Sequence, residues 1–289
     1  PDSRIDYRFI KNFDETIADP LNPRKIRSLF GESAWLAMPK WNEPSHYQKT
    51  EGITTGHLDS LHLESSILDS RKLDVYLPAG YENSEKRYPV VYILSGGLAI
   101  SMGQMANTLD NLTGNEIEPV ITVFIAQSQK RQDEFGGDLV DQYAQMLAEE
   151  VVPLIDKTYR TIPMPEARLS YGTASSGYMA FYAAFKHPGV FGNVASQSIV
   201  MLNYNEDILK PLVKTASEQP LNIYIDWGKY DIRAEHEGWN MATTNRDWAA
   251  FLGSKGYQPA GGEAHDGFGW SSWKNRTDTL LKTFFAKAE

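Results

Sequence analysis

The sequence predicts an α/β fold, a mostly parallel central sheet with helices on both faces, preceded by a β-rich N-terminal extension. Three observations carry that expectation. Residues 89–94 and 121–126 are unbroken apolar runs, as strands covered on both faces require. Residues 138–159 have helical periodicity, with Leu139, Tyr143, Leu147, Val151 and Ile155 recurring every four positions along one face. Strand and helix signals then alternate to the C terminus, the pattern of a parallel sheet built from strand–helix–strand units.

Taken in order, residues 1–55 are polar, carry turn chemistry at Asp19-Pro20-Leu21-Asn22-Pro23, and offer a short strand over 33–39 ended by Pro39. No flexible linker follows them. They are therefore expected to pack as an extension on a main domain of residues 56–289. Residues 57–66 and 73–78 alternate apolar and polar side chains and predict antiparallel strands. Pro153 falls inside the helix over 138–159 and should kink or divide it. A strand over 167–171 and a helix over 176–187, stopped by Pro188-Gly189, come next. Strands over 192–198 and 221–226, a helix over 239–255 and a closing helix over 277–287 complete the pattern.

Composition removes several function classes. There are no cysteines, which excludes disulfides, thiolate nucleophiles and cysteine metal sites. The net charge of −9 argues against nucleic acid and anionic membrane surfaces as partners. No apolar stretch approaches the roughly 18 residues of a membrane span. The chain begins at Pro1 with no apolar signal region, so its start is expected to be trimmed, and the compartment stays open between cytoplasmic and exported. His57, His62, His236 and His265 show no ligand spacing, so neither metal nor cofactor is expected. A monomer or homodimer acting on a small molecule fits these limits.

One stretch organises the rest. Arg168-Leu169-Ser170-Tyr171 reads as a strand, Gly172-Thr173-Ala174-Ser175-Ser176-Gly177 as a turn of small residues, and the following residues as a helix. That is the local shape of a nucleophile elbow, in which Gly-x-Ser-x-Gly lifts a serine onto a strained strand-to-helix turn. Centred on Ala174, the flanking small residues are Gly172 and Ser176. Centred on Ser175, one of them becomes Thr173, whose β-branch crowds the turn. The nucleophile position is therefore Ala174.

Functional groups of such sheets sit outside the carboxyl ends of the strands. Ser95-Gly96-Gly97-Leu98 follows the strand over 89–94, and the backbone N–H of Gly97 or Leu98, with that of Ser175, could face a developing oxyanion. Gly228-Lys229-Tyr230-Asp231 follows the strand over 221–226. Gly261-Gly262-Glu263-Ala264-His265-Asp266 is read as the loop before the last helix. The order of elbow, acid and histidine is that of the α/β-hydrolases. It gives Asp231 as acid and His265 as base, with Glu235 and Glu237 as fallback acids. Arg131 and Glu134 follow the strand over 121–126 and are either substrate-facing or a surface ion pair. Trp270, Trp273 and Phe268 either line an aromatic pocket or pack the C-terminal helix.

The chain resembles the enterochelin-esterase and esterase D-like branch of the α/β-hydrolases over about residues 58–285. The matching stretches include Val75-Tyr76-Leu77-Pro78-Ala79-Gly80-Tyr81, Tyr88-Pro89-Val90-Val91-Tyr92-Ile93-Leu94-Ser95-Gly96-Gly97, Arg131-Gln132-Asp133-Glu134-Phe135, Lys186-His187-Pro188-Gly189-Val190-Phe191-Gly192 and Gly262-Glu263-Ala264-His265-Asp266. The resemblance implies the α/β-hydrolase fold, a serine nucleophile at position 174 and a substrate-facing or loop-ordering role for Arg131 and Glu134. Two departures stand out: Ser95 replaces the histidine of the family's His-Gly-Gly loop, and Ala174 replaces its serine.

The resulting expectation is a carboxylic-ester hydrolase of Ser-His-Asp type, inactive as written. Its substrate would be a polar ester such as a siderophore trilactone or a feruloyl or acetyl ester. Retention of Asp231 and His265 beside a lost nucleophile favours a deliberate Ser→Ala substitution. The alternatives are a naturally non-catalytic ligand-binding relative and an acyltransferase on the same fold.

Overall fold

The computed structural model of the chain describes residues 1–28, 31–201, 203–215, 220–234 and 239–287. The N-terminal extension is a set of short strands, β1 (Arg4–Tyr7), β2 (Phe9–Lys11), β3 (Glu15–Ile17), β4 (Lys25–Ser28) and β5 (Gly31–Ala37). β1, β5 and β4 form one antiparallel sheet, and β2 with β3 a hairpin.

The main sheet has eight strands: β6 (His57–Leu63), β7 (Arg71–Leu77), β8 (Val90–Ile93), β9 (Ile121–Ile125), β10 (Arg168–Thr173), β11 (Asn193–Gln197), β12 (Asn222–Tyr230) and β15 (Ala260–Gly267). Their order is β15-β12-β11-β10-β8-β9-β7-β6. Six of them run parallel, and β7 and β6 add the antiparallel edge. A separate small pair, β13 (Arg233–Ala234) and β14 (Trp239–Asn240), follows β12. This is the α/β-hydrolase fold with a β-rich N-terminal extension, as the sequence predicts.

The apolar runs work as buried central strands do. In β8, Val90 and Tyr92 face one core while Val91 and Ile93 face the other, the two-residue alternation of a pleated strand. The first core is closed by α4 (Val140–Met146), α5 (Val152–Thr158), α6 (Ser175–Lys186) and α8 (Met241–Ser254). The second is closed by α1 (Gly96–Ser101), α2 (Met105–Leu112) and α10 (Thr277–Phe285). The short α3 (Arg131–Glu134), α7 (Asn203–Thr215) and α9 (Trp270–Trp273) complete the set.

Pro153 divides its helix as expected. α4 passes into a π-turn, Leu147–Val151, and α5 begins with Pro153 in its first turn. Proline has no N–H to donate and its ring displaces the carbonyl four residues back, so the wider turn forms just ahead of it. The structure differs from the sequence reading over residues 261–266. The glycine pair there reads as a loop, yet these residues lie inside β15, with Gly261 and Gly262 at φ 98° and 127°. Glycine tolerates those angles within a strand, so pairing with β12 continues through them. Among the described residues, no helix is long and apolar enough to cross a membrane.

Candidate active site

The site is built where β8, β10, β12 and β15 end. At the end of β10, Ala174 has φ 51° and ψ −125°, a conformation that L-residues avoid. The turn is held by close packing. A Cβ on Gly172 would lie 2.1 Å from the Ser176 carbonyl oxygen, and one on Gly177 would lie 2.1 Å from Ser196 Oγ. Backbone bonds fix both sides of it: Ala174 N–H donates to the Gln197 carbonyl (3.1 Å), and Val200 N–H donates to the Ala174 carbonyl (3.1 Å). The strained residue is thus Ala174, flanked by the small residues that the elbow geometry requires.

The loop after β8 is tied to the elbow through side chains. Ser95 Oγ accepts from Gln127 Nε2 (2.8 Å) and donates to Ser176 Oγ (2.8 Å). Ser176 Oγ also accepts from Thr173 N–H and donates to the Thr173 carbonyl. Ser95 therefore anchors the loop in place of the histidine that the family resemblance leads one to expect. Gly96 is pressed against the Phe124 backbone, where a Cβ would lie 2.4 Å away. Gly97 is exposed, second in α1, among the amides that have no acceptor within the helix. Leu98 N–H already donates to the Ser95 carbonyl (3.1 Å). Of the two donors expected from the sequence, Leu98 is thus engaged, while Gly97 lies in the first turn of its helix, where an amide has no intrahelical acceptor, and Ser175 opens α6.

Asp231 follows β12 and is only 3% exposed. Burial raises its pKa to about 6, and the nearby Ser198 hydroxyl and the Arg276 charge oppose that rise. Neither carboxylate oxygen has a direct hydrogen-bond partner among the described residues. Ser198 Oγ accepts from Trp273 Nε1 (3.0 Å), so its own proton is available to Asp231. Glu235 and Glu237, the fallback acids, lie outside the described residues.

His265 is not brought to Asp231. It lies within β15 on the same exposed face as Glu263, and its side chain is 48% exposed. Its Nδ1 is 2.8 Å from Asp2 Oδ1 in the N-terminal extension. Its neighbour Asp266 points to the other face, where Arg276 holds it together with Asp226 (3.1 and 3.0 Å). A loop would have let residue 265 turn toward the elbow, but a strand fixes its direction by the two-residue alternation.

Arg131 and Glu134 separate as well. Glu134 is buried and ion-paired with Arg71, with Ser128 donating to the same carboxylate oxygen (2.7 Å). Arg131 is exposed at the start of α3 and lines none of the described cavities. Trp270 is buried and lines a cleft of about 570 Å³ together with Phe268, Met102 and Tyr230 from the main domain. Tyr7 and Ile10 of the extension close the cleft from the other side. Phe268, whose role the sequence left open, meets Trp273 edge-on at 4.8 Å between ring centres. It packs on the same core as Ala174 and Leu98. No cluster of metal-ligating side chains occurs among the described residues.

Comparison with known proteins bears on this architecture. Among curated proteins, the chain is 22% identical to the uncharacterized protein YbbA of Bacillus subtilis over 143 residues, 45% of this chain and 56% of that one. It thus spans little more than half the length of that relative. It is 25% identical over 188 residues to an endo-1,4-beta-xylanase/feruloyl esterase of Xylanibacter ruminicola, 59% of this chain and 26% of that protein. Among solved structures, the enterobactin esterase of Shigella flexneri superposes with TM-score 0.75 at 19% identity, covering 93% of this chain and 69% of that one. A ferulic acid esterase from Anaeromyces mucronatus gives TM-score 0.69 at 18% identity, covering 84% and 96%. At such identities the likeness to solved structures speaks for the fold. The family described as "Putative esterase" matches residues 65–283. That match runs from just before β7 into α10 and takes in the elbow and every loop around it, so the chain belongs to the Esterase family.

Proposed function

We propose that the cleft is a carboxylic-ester site of the serine-hydrolase type, which in this chain holds its ester without cleaving it. The observation that carries this reading is the backbone of Ala174. Its φ of 51° and ψ of −125°, packed between Gly172, Ser176 and Gly177, set a Cβ where an elbow presents its nucleophile. Backbone strain of this kind costs on the order of 1–3 kcal/mol and persists where the surrounding structure over-determines it. The amides of Gly97 and Ser175 supply donors for an ester carbonyl oxygen. A methyl group has no proton to lose and no lone pair to attack with, so the reaction stops at binding.

The aromatic lining from Trp270, Phe268 and Tyr230 suits an aryl acyl group, and feruloyl esters and catecholate siderophore esters are the candidate ligands. The test is a calorimetric titration with ethyl ferulate, followed by chromatography of the mixture. Saturable binding, lost on Ala174→Trp and accompanied by no release of ferulate, is expected. Absence of binding, or binding indifferent to Ala174→Trp, contradicts the reading.

A further inference from the structure

Among the described residues, neither oxygen of the buried Asp231 carboxylate has a direct hydrogen-bond partner. β12 and β15 pair in parallel, with Tyr230 opposite Gly267. The next residues of the two strands are Asp231 and Phe268, which therefore leave the sheet side by side. The space over Gly228 makes the same point in three dimensions. A Cβ there would lie 2.5 Å from Asp231 Oδ1, 2.5 Å from the Asp266 carbonyl oxygen and 2.9 Å from the Gly267 carbonyl oxygen. The buried carboxylate thus stands against the peptide that joins Gly267 to Phe268. Further contacts close the ring: Phe268 meets Trp273, Trp273 donates to Ser198, and Ser198 faces Asp231. His265, three residues earlier, is opposite the stretch after Gly228 and is paired with Asp2.

We infer that the position of the general base in this fold is Phe268 rather than His265, so that the chain lacks both the base and the nucleophile while keeping the acid. Three observations support this: a buried carboxylate with no direct hydrogen-bond partner among the described residues, a phenylalanine, its ring able neither to donate nor to accept a proton, directly after the Gly267 that pairs with Tyr230, and a histidine held elsewhere by a different carboxylate. A buried carboxylate with no direct hydrogen bond is costly and rare, and it is the arrangement expected when an imidazole is replaced by a phenyl ring of similar size. Loss of two separate parts also fits a site that has become a binding site better than a single Ser→Ala substitution does. The inference rests on the ester-site reading, which it deepens by naming what must be restored.

Restoration has a definite chemistry. In the doubly substituted chain the new serine Oγ attacks the ester carbonyl carbon as the new imidazole takes its proton. The C–O bond to the alcohol then breaks, and the imidazolium gives its proton to the departing alkoxide. Water, deprotonated by the same imidazole, hydrolyses the acyl-enzyme to release the acid and regenerate the serine. Asp231 orients the ring throughout and acts as a positioning residue.

The experiment compares Ala174→Ser, Phe268→His and the double variant, each with and without His265→Ala, using p-nitrophenyl acetate turnover and covalent labelling by a fluorophosphonate. Ala174→Ser alone is expected to remain within about tenfold of background. The double variant should exceed it by 10² or more, the usual contribution of a positioned general base, and His265→Ala should change neither. In parallel, NMR titration of Phe268→His should show an imidazole pKa raised above the ordinary value and lowered again by Asp231→Asn. Turnover by Ala174→Ser that disappears with His265→Ala overturns the inference and leaves the ester site standing. A titration at position 268 indifferent to Asp231→Asn also overturns it. Coupling to Asp231 with no turnover in the double variant supports the placement and instead counts against the ester reading. Should Phe268→His fail to fold, Ala174→Ser with and without His265→Ala still decides which histidine matters.

Discussion

Ser95 donates a hydrogen bond to Ser176 at 2.8 Å, joining the loop after β8 to the first turn of α6. Through it the loop that carries Gly96 and Gly97 is fixed relative to the elbow. Gln127 holds Ser95 from the other side, so the Ser95 and Ser176 hydroxyls of this small network are both hydrogen-bonded. Ser95→Ala should therefore leave both Gln127 Nε2 and Ser176 Oγ one bond short. A loss of about 1–3 kcal/mol in urea unfolding is expected, together with weaker ester binding. Unchanged stability would mean that the loop is anchored by its backbone alone.

Ala174 carries backbone strain that glycine does not. Ala174→Gly should stabilise the chain by about 1 kcal/mol, visible as a higher midpoint in thermal or urea unfolding. Gly172→Ala should act in the opposite sense and cost about 3 kcal/mol or more, since its Cβ would meet the Ser176 carbonyl oxygen at 2.1 Å. Equal effects of the two substitutions would contradict the elbow geometry.

Asp231 should leave a signature in the pH dependence of folding. Its pKa is about 6 in the folded chain against 3.8 for the free side chain. Between those values the folded state holds more protons than the unfolded state, so its contribution weakens as pH rises from about 4 to about 6. At about 1.4 kcal/mol per pH unit between the two values, this amounts to about 3 kcal/mol. Asp231→Asn should then be more stable than the parent above pH 6 and should lack that decline. Urea midpoints from pH 4 to pH 8 read the difference, and parallel curves for the two chains would rule it out.

Arg71 and Glu134 form a buried pair at the junction of β7 and α3, with side chains 2% and 1% exposed. Arg71→Met strands the carboxylate in the core and should cost about 3–5 kcal/mol, whereas Arg71→Met with Glu134→Leu should recover much of the loss. Arg131→Ala, at an exposed position, should change stability by less than about 0.5 kcal/mol. A large effect of Arg131→Ala with a small one of Arg71→Met would reverse these roles.

Much of the fold is legible in the sequence because its strands announce themselves by burial. The runs over 89–94 and 121–126 are apolar on both faces, and Pro153 and Pro188-Gly189 punctuate the helices. The elbow is legible for the same reason, since only small residues fit around Ala174. The direction of His265 is not. Gly261-Gly262 has the letters of a turn, and β15 forms there only because glycine accepts positive φ while the strand pairs with β12. Read as a loop, these residues leave the direction of His265 open, whereas the strand fixes it on the exposed face beside Asp2. Strand register, which no local pattern reveals, pairs Tyr230 with Gly267, the residues just before Asp231 and Phe268. Arg71 was equally hidden as the partner of Glu134, because the two are 63 residues apart and meet only through the sheet.

The most direct measurement is a crystal structure of the chain soaked with a feruloyl ester. An intact ester is expected, with its acyl ring beside Trp270 and Phe268, its carbonyl carbon facing the Ala174 methyl group, and its carbonyl oxygen at the amides of Gly97 and Ser175. Density for the ester away from Ala174, or for free ferulate where the ester was supplied, would contradict a site that binds esters without cutting them.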